Sequence, residues 1–121
     1  MIIHDHHDAL LTEELTTSST AQEVLTSDII DLRETGGVEH AHLILSAEAG
    51  DAPLTLNVLG AATKEGEYAP VPELSFTTTE GEDFHYRQRI PLLCPQYIKL
   101  QVSVGDTAPS EPVRATLRVA L

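Results

Sequence analysis

The sequence predicts an all-β fold, an antiparallel β-sandwich, on three observations. Short stretches of apolar and polar residues in strict alternation recur along the chain, and clusters of Gly, Pro, Asp and Ser separate them. No segment sustains a helical period, and none repeats another. Roughly seven or eight short strands result, and two sheets burying their aliphatic faces against each other absorb such a set.

Residues 1–20 read as an N-terminal arm and residues 21–121 as a single sandwich domain. In the arm a His/Asp cluster precedes Leu10, Leu11 and Leu15. Leu11 and Leu15 stand four apart, which allows one or two helical turns before the run from Thr16 to Thr20 ends them. From Ala21 to Leu32 the pattern predicts an extended segment and then a short strand centred on Ile29 and Ile30, broken by Gly36 and Gly37. Ala41 to Glu48 gives the next strand, with Leu43, Leu45 and Ala47 on one face. After the turn from Ala49 to Pro53, Leu54, Leu56 and Val58 mark another, and the short connection predicts that these two pair as a hairpin. Gly60 to Pro72 reads as an exposed loop with at most a short edge strand near Tyr68. Leu74 to Thr79 reads as a weak strand, and Phe84 to Ile90 alternates clearly. Pro91 and Pro95 then bracket a bend.

The last quarter carries the longest signal. Ile98, Leu100, Val102 and Val104 share one parity, and Val113, Ala115, Leu117 and Val119 repeat it after a turn-rich segment containing Gly105, Asp106, Pro109, Ser110 and Pro112. This predicts a β-hairpin with one continuous aliphatic face. Seven strands would suit an immunoglobulin-like sandwich and eight a jelly roll, and the pattern fits both.

A chain of 121 residues supports one core, which must be aliphatic because there is no Trp and few other aromatic residues. The same scarcity weighs against sugar and single-strand nucleic-acid sites, which need stacking platforms. A net charge of −12 excludes nucleic acid as a partner, since phosphates would be repelled. No apolar run of about 18 residues predicts a membrane span, and no basic n-region precedes an apolar stretch. The single cysteine excludes an internal disulfide framework and fits folding in a reducing cytoplasm.

No constellation of reactive residues stands out. His4, His6 and His7 with Asp5 and Asp8 are the densest set of potential ligands, yet a terminal arm lacks the second shell that orients imidazoles, so no metal or other cofactor is expected. His40 and His42 lie two apart on one strand face, which reads as a solvated or interface face rather than a metal pair. Cys94, between Leu93 and Pro95, reads as a small buried hydrophobe rather than a nucleophile. Gly36 and Gly37 are followed by Val38 and Glu39, which is no phosphate-cradling loop. The basic residues are more informative. Five of the seven, Arg87, Arg89, Lys99, Arg114 and Arg118, fall in the last 38 positions of an otherwise acidic chain, all with outward parity. Against the ordinary reading of a solvated face, they are candidate contacts with an acidic neighbour, together with Leu10, Leu11 and Leu15 of the arm.

Three segments carry a resemblance: STAQEVLTSDIIDL, APLTLNVLG and RIPLLCPQYIKLQVSVGDTAPSEPVRATLRV. In order and spacing they resemble the small capsid-decorating proteins of tailed bacteriophages, the family typified by the Bordetella phage cement protein. The hallmarks are an arm leading to an IDL-like motif, here Ile30, Asp31 and Leu32, and a carboxy-terminal pattern. The latter is present as Pro95, Tyr97, Ile98, Lys99, Leu100, Val102, Gly105, Ala108, Pro109, Val113 and Ala115. The resemblance implies a jelly-roll-like sandwich that binds the outside of an icosahedral head as a homo-oligomer, with a dimer favoured over a trimer. It would bridge capsomers of the major capsid protein without catalysis, after folding in the host cytoplasm. The rival is a ligand- or carbohydrate-binding sandwich of a phage tail or baseplate, which the lack of aromatic residues disfavours.

Overall fold

The computed structural model describes residues 11–32, 41–89 and 94–120. The histidine cluster around His4, His6 and His7, together with Leu10, Gly36, Gly37 and His40, lies outside these residues.

The described residues form nine strands and no helix: β1 (Leu11–Thr16), β2 (Val24–Thr26), β3 (Ile30–Asp31), β4 (His42–Ala47), β5 (Leu54–Ala61), β6 (Ala69–Thr77), β7 (Phe84–Arg89), β8 (Tyr97–Val104) and β9 (Arg114–Ala120). They build two antiparallel sheets. The four-stranded sheet has the order β1-β9-β4-β7, and the five-stranded sheet the order β2-β8-β5-β6 with β3 also on β8. The predicted sandwich is therefore what the chain forms.

Its core is aliphatic, as composition requires. Leu54, Leu56 and Val58 stand in register with Val104, Val102 and Leu100 in one sheet. Leu43, Leu45 and Ala47 stand in register with Val119, Leu117 and Ala115 in the other. All twelve are buried in one cluster between the sheets. Three of the five aromatic residues close a flank instead, where Phe76 of edge strand β6 lies 5.5 Å from Phe84 and 4.4 Å from Tyr86 of edge strand β7, measured between ring centroids. Two buried threonines seal strand ends by reciprocal bonds. Thr17 donates its amide to Val113 O and accepts from Val113 N, and Thr78 does the same with Leu54, all at 2.8–2.9 Å.

The positions of β4, β5, β7, β8 and β9 agree with the sequence reading, but the pairing does not. The expected hairpin from Tyr97 to Ala120 is not one, because β8 and β9 belong to different sheets. Their aliphatic faces do meet the same core, but from opposite sides. Alternation reports which residues point inward and is silent about which strand lies alongside. The segment between them, residues 105–113, is long enough to cross the roughly 10 Å between packed sheets. β4 and β5, also expected to pair, are separated in the same way. Among the strands, only the steps from β2 to β3 and from β5 to β6 stay within one sheet.

Two further corrections concern weak signals. The arm expected over residues 1–20 is partly structural, since Leu11–Thr16 is edge strand β1, paired along its length with β9. Residues 69–72, expected in a loop with at most a short edge strand near Tyr68, belong to β6. Pro70 and Pro72 are tolerated there because β6 is an edge strand, and a register shift opposite Asn57 to Leu59, with Glu73 at φ +68°, moves the inward parity from Val71 to Leu74 and Phe76.

Leu100 is 0 % exposed at the centre of the five-stranded sheet, whereas its neighbour Lys99 points outward. A carboxylate in that aliphatic layer costs several kcal/mol against a total stability of about 5–15 kcal/mol. Leu100→Asp is therefore expected to abolish the cooperative melt seen by circular dichroism, while Lys99→Asp keeps it. Equal melting of the two variants would mean that the register is off by one residue.

Candidate docking surfaces

The four segments 17–23, 48–53, 78–83 and 105–113 form one pole of the sandwich, tied together by bonds from Gln22 to Asp106, from Ser110 to Asp51 and from Gly81 N to Gly50 O. They carry Glu23, Glu48, Asp51, Glu80, Glu82, Asp83, Asp106 and Glu111, and no Lys, Arg or His. Five of these acids hold loops together. Glu23 accepts from Ser18 N at 2.9 Å and Ser18 Oγ at 2.8 Å. Asp83 accepts from Ala49 N at 2.8 Å, and Asp106 from Gln22 Nε2 at 2.6 Å. Asp51 takes Ser110 Oγ at 2.5 Å and Ser110 N at 2.8 Å, bonds that hold its carboxyl below the ordinary value. Glu48 engages Arg114 at 3.0 Å. Glu80, Glu82 and Glu111 are exposed and make no ion pair or side-chain hydrogen bond among the described residues. The sequence reading missed this pole. It compared halves of the chain, whereas the signal lies in the acids of alternate turns.

The outward face of the four-stranded sheet has the opposite character. Ile44 on β4 stands directly opposite Arg87 of β7 on one side and Arg118 of β9 on the other, and His42 stands opposite Arg89. Although it points away from the core, Ile44 is only 4 % exposed, whereas Arg87 and Arg118 on either side of it are exposed. Arg114, at the polar end of this face, is held by Glu48 and lies 4.0 Å from Glu14. Arg87, Arg89 and Arg118 are exposed and have no ion pair among the described residues. His42 Nδ1 is buried beside them without a hydrogen-bond partner there.

The five candidate cations do not form one patch. Lys99 lies on the outward face of the other sheet, with Nζ 4.1 Å from the centroid of the Tyr68 ring. The expectation of a shared face followed from treating β8 and β9 as a hairpin. Around Lys99 the surface is neutral and polar, with Asn57 bridging Gln101 and Ser75. Leu11 and Leu15, candidate contacts in the sequence, point inward and pack against the core cluster. Between them Glu13 accepts from Asp28 N at 3.2 Å, closing the flank opposite the aromatic one. Leu10 lies outside the described residues.

Among the described residues no group of three or more His, Cys, Asp or Glu side chains could hold a metal ion. Comparison of the chain with protein families, with curated proteins and with solved structures finds no match.

Cys94 packs against the core cluster, and burial pushes its thiol from 9.0 up to about 11. Alkylation of the folded protein should therefore accelerate with an inflection near pH 11 rather than near 9. The unfolded chain ionises first, so the stability linked to Cys94 is complete below about pH 9 and declines towards 11. An alkylation inflection near pH 9 would place the thiol in water.

Proposed function

We propose that this chain is a non-enzymatic virion structural protein, a jelly-roll module that decorates and cements the outer surface of an icosahedral phage head. It bridges neighbouring capsomers of the major capsid protein as a homo-oligomer. The observation that carries this reading is that the two motifs behind the resemblance, far apart in the chain, are partners in the fold. Ile30 and Asp31 pair with Ile98 and Tyr97. Leu32 N donates to Gln96 O at 2.8 Å, and Gln96 Nε2 donates to Asp31 Oδ1 at 3.1 Å. Similarity at both places thus answers to a single structural contact, the anchoring of the segment before β4 along the edge of β8.

The jelly-roll part of the reading is supported by strand order. Four strands in the order β1-β9-β4-β7 face β2-β8-β5-β6, and nearly every connection crosses between sheets. Such a double sheet packed on one core makes a block whose outward faces and loop poles are free to vary. Function then lies in those surfaces rather than in the fold.

The test is addition of the purified protein to phage heads assembled without it, followed by sedimentation and cryo-electron microscopy. Saturable binding at symmetry-related positions outside the shell, with greater resistance of the heads to heat, is the expected result. Heads that stay bare at saturating protein, or density for the protein at a tail or fibre, would contradict it.

A further inference from the structure

Among the described residues no element packs on the outward face of the four-stranded sheet, and the charge of that face is at odds with that of the molecule. In a chain of net charge −12 it presents three guanidinium groups that no described acid engages, on Arg87, Arg89 and Arg118. The structure does pair an arginine when one lies near the pole, as the clasp of Glu48 on Arg114 shows. The remaining three are therefore cations left over by the fold. The pole leaves over three anions, Glu80, Glu82 and Glu111, after its other acids have bound loops or Arg114. Shape matches charge there. Glu80 and Glu111 line an open hollow of about 440 Å³ together with Asp51, Ser110, Pro112 and Val113, a mixed lining with carboxylates for a guanidinium fork and apolar surface for its stem.

We infer that the Arg87, Arg89 and Arg118 face docks against the acidic pole of a second copy of this chain, with Glu80, Glu82 and Glu111 as its partners. A second copy is the occupant because it carries the complementary charges, uncommitted and matched in number. Guanidinium and carboxylate pair in a bidentate fork, which gives the contact an orientation that point charges would not. Two molecules of net charge −12 repel at long range, but near physiological ionic strength the Debye length is about 8 Å, so distant charges are screened while touching pairs still act. The contact rests on the homo-oligomer part of the proposed function, and because self-association is measured without heads, its failure is distinguishable from a failure to bind them.

The experiment is sedimentation velocity over a concentration series at physiological salt, with two charge-reversed proteins. One carries Arg87→Glu and Arg118→Glu, the other Glu80→Lys, Glu82→Lys and Glu111→Lys. All five side chains are exposed, so both proteins should melt like the parent. Should either fail to, Arg87→Gln with Arg118→Gln, and Glu80→Gln with Glu111→Gln, take their places. The parent is expected to self-associate, each reversed protein alone should do so at least about tenfold more weakly, and an equimolar mixture of the two should recover association. Recovery is specific to this pairing, because in the mixture every intact face again meets a pole of opposite sign. A parent that stays monomeric throughout the series, reversed proteins that associate like the parent, or a mixture no stronger than its components would each overturn the inference.

Discussion

Everything in this molecule depends on one aliphatic layer held between β8 and β5 on one side and β9 and β4 on the other. Ile98, Leu100 and Val102 meet a wall built from Leu43, Leu45, Leu117 and Val119, all at most 2 % exposed. Fully burying a side chain of this kind is worth about 1.5–3 kcal/mol, and no other interaction in the chain is comparable. The ion pairs are exposed and each contributes at most about 1 kcal/mol. Phe76, Phe84 and Tyr86 seal a flank, and the buried hydroxyls of Thr17 and Thr78 only complete strands that the aliphatic layer has already positioned.

That constraint sets the surface chemistry. Burial of one parity on every central strand leaves the other parity free, so two outward faces can differ in charge without cost to the core. The four-stranded sheet uses this freedom for arginines on either side of Ile44, and the five-stranded sheet for a neutral ladder of Asn57, Ser75 and Gln101 with Lys99 beside Tyr68. Four of the connections between the sheets meet at the same end, which gathers the acids of separate turns into one pole.

Much of the fold was legible in the sequence, and what was hidden has physical reasons. Period-2 alternation located β4, β5, β7, β8 and β9 and identified their inward residues, because burial acts on each side chain separately. Pairing was not legible, since a strand next to its successor and a strand facing it across the core show the same alternation. β1 escaped because Leu11 and Leu15 suit a helical turn as well as a strand, and Glu13, which breaks the apolar parity between them, is used at an open flank to cap Asp28 N. The first half of β6 escaped because prolines speak against a strand except at an edge. Of the candidate contacts, the arginines lie on exposed surface as expected. Their separation from Lys99 and the whole acidic pole required the strand order.

The central claim is that β8 and β9 face each other across the core instead of pairing. Inter-strand backbone NOEs in the isotope-labelled protein test it directly. The structure predicts contacts between Leu100 and Val58, between Val102 and Leu25, and between Leu117 and both Leu45 and Glu13, with β8 and β9 joined only through side chains. A ladder of backbone NOEs running between Tyr97–Val104 and Arg114–Ala120 would contradict it.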